Sequence, residues 1–287
     1  MSREAAVPVR YGVALGKAHP SFHLELTLEA EKLGLESVWM PEHLIFPTAM
    51  AGSPYPGQEH PPVPPTTPVF DAFGWLCFLA GKTERIRLGT NVYLLGLRHP
   101  FVAARAIQTL DVVSNGRAEV GVGAGWLREE WLAAGLDPAT RGRRLDEALD
   151  VVKRLWSEPS VEHHGEFFDF APVAFEPKPV QKPWPRIHVG GESDAALRRA
   201  ARHGDGWLGL GHTPESVQAP LARLRALRER EERAHEPFEI TIGANLRSKD
   251  DAARFAELGV HRILLTPWQR SREAVDGLRR AAELLLR

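Results

Sequence analysis

The sequence predicts one (β/α)8 barrel domain spanning residues 1–287. Short apolar segments alternate with helical patterns along the chain, which is typical of parallel strands joined by helices. Eight such units in 287 residues fit the usual size of this barrel. A doubly wound open sheet is the main alternative, but no Gly-x-Gly-x-x-Gly turn follows the first strand. The pattern therefore favours the barrel.

The predicted strands share the length and the branched apolar residues of buried strands. They are Val9–Leu15, Ser37–Met40, Ile86–Leu95, Ala118–Val122, Arg186–Val189, Gly206–Leu210, Phe238–Ala244 and Arg262–Thr266. Apolar residues that recur every three or four positions predict the helices between them. These helices cover Phe22–Leu33, Phe73–Ala80, Phe101–Val113, Leu145–Trp156, Ala195–His203, Leu221–Arg233, Ala252–Leu258 and Ala274–Leu285.

Two proline-rich segments interrupt this alternation. Ile45–Thr67 follows the second strand and holds seven of the 23 prolines, and Ser157–Pro185 precedes the fifth strand and holds six. Neither can be continuous helix, because proline lacks the N–H donor and clashes with the preceding turn. The first segment leaves the carboxyl end of a strand, where barrel active sites form. We predict that it forms a wall or lid of the site; a surface insertion with no such role is the alternative.

Composition excludes several classes of protein. The net charge of -1, from 36 basic and 37 acidic residues, provides no overall field to attract nucleic acid or an anionic membrane. The single cysteine, Cys77, excludes an intrachain disulfide framework and a cysteine-based zinc site. No apolar run is long enough for a membrane span, and Met1–Arg10 lacks the apolar core of a signal peptide. We expect a cytoplasmic protein that acts on a small molecule.

The second strand is followed by Glu42 and His43. A carboxylate beside an imidazole at a barrel mouth can orient a substrate or transfer a proton, because histidine titrates near neutrality. A solvated Glu–His pair at the start of a loop fits the local sequence equally well. A metal-dependent hydrolase would typically carry a His-x-His pair at the first strand, and Tyr11–Leu15 has none. We therefore predict no metal site.

Glycines mark the ends of the fourth and fifth strands. Gly123 and Gly125 follow the fourth strand, where glycine lets a ligand approach the backbone closely, although a tight turn would need it too. Gly190 and Gly191 follow the fifth strand and lead into a helix, whose N-terminal N–H groups form a potential phosphate site. Ser193 can add a hydroxyl or can cap the helix, and the two roles are compatible.

Taken in order, these segments resemble the bacterial luciferase-like monooxygenase superfamily, especially its branch of oxidoreductases that use the deazaflavin coenzyme F420. The resemblance covers nearly the whole chain up to Trp207, whereas residues from Phe238 onward match only as generic strand–helix pairs. The matching stretches are Ala30–Trp39, Pro41–His43, Arg87–Val92, His99–Arg117, Gly121–Trp126, Arg141–Trp156, Pro185–Gly191 and Ala201–Trp207.

The resemblance implies a barrel that holds F420 or FMN at the carboxyl ends of its strands. Glu42 and His43 match the acidic–His pair beside the ring, with His43 as proton donor or acceptor and Glu42 as its partner or a substrate-orienting group. Asn91-Val92 matches the position of a non-prolyl cis peptide behind the ring. The other implied cofactor-binding residues are Gly123, Gly125 and Trp126 at the pocket edge, and Arg141, Gly190, Gly191, Glu192 and Ser193 at the phosphate. The tryptophan that some relatives carry just past the pair is missing from Leu44–Pro47.

The implied activity is hydride transfer or monooxygenation of a small organic substrate. Resemblance to the branch favours F420 over FMN, and Arg98 or Lys178 could contact the polyglutamate tail of F420. An FMN-dependent monooxygenase supplied with reduced flavin by a partner reductase is the first alternative, and a non-catalytic coenzyme-binding barrel is the second. A homodimer is compatible with either activity.

Overall fold

The computed structural model describes residues 8–53, 58–60 and 62–286. Within these residues the structure has ten strands: β1 (Arg10–Ala14), β2 (Ser37–Met40), β3 (Arg87–Thr90), β4 (Ala118–Val122), β5 (Val161–His164), β6 (Asp169–Val173), β7 (Ile187–Gly190), β8 (Gly206–Gly211), β9 (Glu239–Gly243) and β10 (Arg262–Leu265). Eight of them close into a barrel in the order β1-β10-β9-β8-β7-β4-β3-β2, and every neighbouring pair is parallel. The predicted (β/α)8 fold is confirmed.

Helices surround the barrel and follow most of its strands. They are α1 (His23–Leu33), α2 (Ala72–Ala80), α3 (Pro100–Val113), α4 (Arg128–Ala133), α5 (Arg141–Ser157), α6 (Asp194–His203), α7 (Gln218–Arg230), α8 (Lys249–Glu257) and α9 (Ala274–Leu286). The first helix ends at Leu33 as predicted, because Gly34, which is left-handed at φ 84°, terminates α1. Of these helices, α4 was not predicted. No helix in the described part of the chain is long and apolar enough to cross a membrane.

The third strand is shorter than the predicted Ile86–Leu95. β3 ends at Thr90, the Asn91–Val92 peptide bond that follows is cis, and Leu95–Leu97 form a turn of 3-10 helix. The backbone N–H of Asn91 donates to Met40 O (2.7 Å) and that of Tyr93 donates to Gly121 O (2.7 Å), so the chain stays between β2 and β4 after regular pairing stops. Most of the apolar residues after Thr90 are therefore buried at the end of the barrel, but they do not continue the strand.

The two proline-rich segments differ in structure. The described residues between β2 and α2 form no helix or strand. The second segment contains the antiparallel hairpin β5–β6, which was not predicted. The Glu147 carboxylate on α5 accepts hydrogen bonds from the N–H groups of Phe167 (3.0 Å) and Phe168 (2.9 Å), and so anchors this hairpin to the helix. The described residues of the first segment and the hairpin of the second lie outside the eight-stranded barrel.

Charged side chains fill the amino end of the barrel interior. Arg262 is fully buried and donates two hydrogen bonds of 2.8 Å to Glu36. It also lies 3.2 Å from Glu239, while the Glu119 carboxylate accepts a hydrogen bond from Nε2 of His188 (2.6 Å). Burial alone would raise the pKa of Glu119, but the hydrogen bond to His188 and the neighbouring guanidinium groups outweigh it and hold that pKa well below its usual range. These groups form an ion network that joins several strands.

Candidate active site

His43 lies at the carboxyl end of β2, three residues after the strand ends at Met40. Its Nδ1 is 2.9 Å from Oε2 of Glu130 on α4, a carboxylate whose side chain is 0% exposed. The other oxygen of Glu130 accepts the backbone N–H groups of Leu44 (2.5 Å) and Ile45 (3.4 Å). The structure therefore pairs His43 with Glu130, and sequence reasoning, which paired it with Glu42, missed this residue.

Two sequence features could have revealed α4. Glu129 and Glu130 are adjacent and stand in the first turn of the helix, where acidic side chains favour the positive end of the helix dipole. Leu127 and Trp131 flank them four residues apart, which is helical spacing, and both are buried. Nothing local, however, connects Glu130 to a histidine 87 positions earlier in the chain.

Glu42 lies in a buried ion pair instead. Glu42 is only 4% exposed. Its Oε2 accepts a hydrogen bond from the backbone N–H of Leu94 (2.8 Å), and its Oε1 accepts one from the Arg98 guanidinium (2.5 Å). The Arg98 guanidinium also lies 4.5 Å from the centre of the Tyr93 ring. Burial raises the pKa of Glu42 and outweighs the opposing effect of Arg98. Both carboxylate oxygens are thus engaged in holding the segment after β3.

Aromatic side chains surround the His43 ring. Phe46 lies 4.5 Å away between ring centres, and Trp126 lies 5.9 Å away in an edge-on arrangement at 85°. Trp126 follows β4, so the structure brings together two predicted site residues from different strands. The His43 side chain remains 15% exposed. The His43 imidazole is therefore partly accessible to solvent and lies against aromatic side chains.

The Val92 side chain explains two of the predicted glycines. A Cβ atom on Gly123 would lie 2.5 Å from Cγ2 of Val92, and a Cβ atom on Gly190 would lie 2.6 Å from its Cγ1. Real Cβ atoms do not approach other carbon atoms so closely, so both positions must lack a side chain. Gly123 and Gly190 therefore accommodate the valine that follows the cis peptide, whether or not a ligand is bound.

The turn from β7 into α6 has the predicted shape. Gly191 is at φ 118°, a conformation that strongly favours glycine, and its carbonyl accepts from Trp207 Nε1 (2.9 Å). Ser193 caps α6, since its Oγ accepts the N–H of Ala196 (3.2 Å). The Glu192 carboxylate accepts the N–H of Leu210 (2.7 Å), so this acid is bound to β8. The helix N-terminus keeps the polarity that suits an anion.

Arg141 stands at the start of α5, where its guanidinium donates to Pro138 O (2.8 Å). Arg199, in the middle of α6, pairs with Asp146 in the N-terminal half of α5. Helices of such a barrel run opposite to its strands, so α5 and α6 both begin at the carboxyl ends of the strands, and Arg141 lies at the same end of the barrel as Ser193. Gly125, left-handed at φ 76°, packs against Leu94 and Trp131.

Arg98 and Lys178, the two candidates for contact with a coenzyme tail, lie in different places in the structure. Arg98 pairs with Glu42 as described above. The ammonium group of Lys178 donates to Leu155 O (2.9 Å) and Glu158 O (2.6 Å), at the C-terminal end of α5. Since helices run opposite to the strands they follow, this end lies at the amino side of the barrel. Lys178 is therefore remote from the mouth.

One group of described residues has the donor atoms of a metal site. The ligand atoms of Glu119, His188 and Glu239 lie within 4.8 Å of one another. Arg262 is 3.2 Å from Glu239 and 3.9 Å from Glu119, and Arg87 pairs with Glu119 as well. These guanidinium groups already compensate the carboxylates. The group also lies at the amino end of the barrel, away from His43.

The chain belongs to the luciferase-like monooxygenase family, whose model matches residues 4–284. The members of this family are oxidoreductases and monooxygenases. An uncharacterized protein of Mycobacterium tuberculosis is 32% identical over 90% of this chain and 88% of its own length.

Relatives with assigned activities use different coenzymes. An F420-dependent glucose-6-phosphate dehydrogenase of Kineococcus radiotolerans is 32% identical over 81% of this chain and 66% of its own. An FMNH2-dependent dimethylsulfone monooxygenase of Pseudomonas putida is 33% identical over 52% of this chain and 41% of its own. The crystal structure of the monooxygenase RslO1 from Streptomyces bottropensis has the same fold, with a TM-score of 0.76 at 24% identity over 97% of this chain and 99% of that one. The two sequence relatives with a named coenzyme thus use F420 in one case and FMNH2 in the other.

Proposed function

We propose that this protein is a flavin- or deazaflavin-dependent oxidoreductase, with coenzyme F420 favoured over FMN, that transfers a hydride to or from a small organic substrate or oxygenates it with dioxygen. The observation that carries the proposal is the presence of Val92, Trp126 and His43 together at the carboxyl ends of the barrel strands. Val92 packs into the space left by Gly123 and Gly190, and Trp126, three residues after Gly123, packs on His43. An apolar surface beside a partly exposed imidazole suits a flavin-type ring. The relative from Kineococcus radiotolerans supports F420 as the coenzyme.

The residues present fit such a coenzyme. Val92 and Trp126 offer apolar surface to the ring, and the N–H groups at the start of α6 suit its phosphate, with Arg141 at the same end of the barrel. Two acidic residues lie beside the expected phosphate position, but both are already paired and so do not repel a bound phosphate. Asp194 is paired with Arg198 and with Arg223, and the carboxylate of Glu192 is bound to the backbone of β8. The bound coenzyme would supply the redox chemistry.

The chain's own side chains have separate tasks in this proposal. His43 gives or takes a proton at Nε2, the ring nitrogen that is not directed at Glu130. Phe46, near the start of the proline-rich segment after β2, and Trp126 shield the imidazole ring of His43 from water. Glu42 acts indirectly, because its contacts with Leu94 and Arg98 hold the segment that carries Val92.

Coenzyme titration tests the proposal directly. We expect F420 to bind the purified protein in the micromolar range, oxidised or reduced, with a change in fluorescence, and more tightly than FMN. Preference for FMN would instead favour a monooxygenase that receives reduced flavin from a partner reductase, as the relative from Pseudomonas putida suggests. Binding of neither coenzyme would contradict the redox function, and binding without turnover in a substrate screen would favour the non-catalytic barrel.

The role of His43 is tested by His43→Ala. We expect this variant to bind coenzyme like the wild type but to lose on the order of 100-fold or more in turnover, since proton transfer by a positioned side chain contributes at least that much. Fluorescence titration and steady-state kinetics on a substrate from the screen measure the two effects. Unchanged turnover would remove His43 from the mechanism.

The proposal includes a cytoplasmic homodimer built from a single domain, residues 1–287. Phe78 on α2 and Val102 and Val113 on α3 are large apolar side chains exposed on two adjacent helices. Exposed apolar surface of this kind commonly marks an interface. Light scattering after size-exclusion chromatography should give a dimer mass for the wild type and a monomer for Val102→Asp/Val113→Asp.

A further inference from the structure

We infer that Glu130 is a positioning residue that fixes the tautomer of His43, so that Nδ1 carries the ring proton and Nε2 is unprotonated. The inference rests on the proposed function only for its catalytic consequence. Glu130 Oε2 lies 2.9 Å from Nδ1, and the carboxylate is fully buried. Among the described residues, Nε2 of His43 has no hydrogen-bond partner. The neutral ring would thus present Nε2 as an acceptor to a substrate.

The hydrogen bonds of Glu130 determine which nitrogen carries the proton. Oε1 accepts two backbone N–H groups, those of Leu44 and Ile45, and backbone N–H groups can only donate. An ionised carboxylate has only acceptor sites, so its contact with Nδ1 requires that Nδ1 donate. The same arrangement orients the imidazole, because three donors from consecutive residues converge on one rigidly held carboxylate.

Glu130→Gln should reverse this assignment without removing the contact. A glutamine side chain has nearly the same shape as glutamate but offers one carbonyl oxygen and one NH2 group. The carbonyl must take the place of Oε1, because Leu44 and Ile45 still present N–H donors there. The NH2 group then faces Nδ1 and makes it an acceptor, which moves the ring proton to Nε2. The anchoring of the segment after β2 is preserved while the ring tautomer changes.

Nuclear magnetic resonance of coenzyme-free protein labelled with ¹⁵N histidine reads the tautomer directly. Long-range ¹H–¹⁵N correlations distinguish the protonated from the unprotonated ring nitrogen, and His43→Ala identifies the signals of His43 among the 12 histidines. At a pH where the ring is neutral, we expect Nδ1–H in the wild type and Nε2–H in Glu130→Gln. Nε2–H in the wild type, or the same tautomer in both proteins, would overturn the inference.

Kinetics then test the consequence. We expect Glu130→Gln to keep the coenzyme affinity and KM of the wild type while kcat falls on the order of 100-fold in the reaction direction in which His43 accepts the substrate proton, since Nε2 is then already protonated. Glu130→Asp, which restores a carboxylate, should recover part of the loss and the wild-type tautomer. Glu158→Gln is the matched control, because Glu158 pairs with Arg154 at the surface, next to the C-terminal end of α5 and away from His43. Equal kcat in Glu130→Gln and the control would refute a catalytic consequence.

The two proposals fail in different ways. If the tautomer reverses as expected but no coenzyme binds, the proposed function is wrong and the positioning of His43 by Glu130 stands. If coenzyme binds and turns over but the tautomer is unaffected by Glu130→Gln, only the inference about Glu130 is wrong. Since Glu130→Gln is close in shape to the wild type, circular dichroism should show an unchanged fold; the wild-type spectrum decides the inference even if the variant does not fold.

Discussion

Val92 is the residue that links backbone geometry to the shape of the barrel mouth. Its two methyl groups occupy the space that side chains at positions 123 and 190 would need. Sequence reasoning attributed the glycines at these strand ends either to the approach of a ligand or to a tight turn. The structure shows that the protein itself already requires them, so their presence alone does not demonstrate a ligand. A coenzyme would contact the valine that they accommodate.

Gly190→Ala tests this packing. The added Cβ would lie 2.6 Å from Val92 Cγ1, and we expect a loss of about 1–3 kcal/mol in the free energy of unfolding, typical of overpacking. Urea unfolding measures it. Gly211→Ala is the control, since a Cβ atom there meets nothing within 4 Å. On a Val92→Ala background the penalty at position 190 should shrink; an equal penalty on both backgrounds would contradict the contact.

Among the secondary-structure elements, the short helix α4 supplies the residue that pairs with His43. This helix of six residues supplies Glu130 to His43 and to the start of the segment after β2, and Trp131 packs beside Gly125. Its shortness is the reason that it was missed, because hydrophobic periodicity needs a window longer than six residues. The element that completes the candidate site was therefore the least visible one in the sequence.

The ion network at the amino end joins four barrel elements through one side chain. Arg262 of β10 contacts Glu36 before β2, Glu119 of β4 and Glu239 of β9. We expect Arg262→Leu to lower the free energy of unfolding by about 3 kcal/mol, at the lower end of the cost of breaking a buried ion pair, because the carboxylates lose their buried partner but keep contacts with Arg10, Arg87 and Arg186. Urea unfolding measures the change. Arg254→Leu, which removes an exposed ion pair with Glu215, should leave stability almost unaltered; similar losses in both variants would refute the special role of Arg262.

For the whole molecule, the same network predicts how stability depends on pH. In the folded protein the pKa values of Glu36, Glu119 and Glu239 are lowered, because favourable contacts with Arg262 and, for Glu119, with His188 outweigh the effect of burial. The unfolded chain therefore binds more protons in acid than the folded one does. The stabilisation is fully present above the ordinary carboxyl pKa of about 4.3 and is lost as the pH falls towards the lowered values.

We expect the free energy of unfolding to fall between about pH 5 and about pH 3, and the slope to be smaller in Arg262→Leu because the lowered pKa values depend on that guanidinium. Denaturant unfolding at a series of pH values gives both slopes. The raised pKa of Glu42 acts in the opposite direction, since a folded state that holds its proton more tightly loses stability as the pH rises. Identical slopes in the two proteins would show that Arg262 does not control the acid response.

The sequence by itself determined the fold class and the positions of the barrel strands. Strand length, apolar periodicity and signals such as Gly34 at the end of α1 are local, so they can be read without knowing which segments meet. It also determined that Glu42, His43, Trp126 and Gly190 follow strand ends, which places them at one face of any parallel barrel.

Only the tertiary structure decided the partners. That His43 pairs with Glu130 and Glu42 with Arg98, that Lys178 lies at the wrong end, and that Val92 needs Gly123 and Gly190 all follow from contacts between residues distant in the chain. Such contacts depend on the register and closure of the barrel, because these decide which donor and acceptor groups come within hydrogen-bond distance of each other. The sequence shows which side chains are available to form such pairs, but only the three-dimensional packing decides which of them meet.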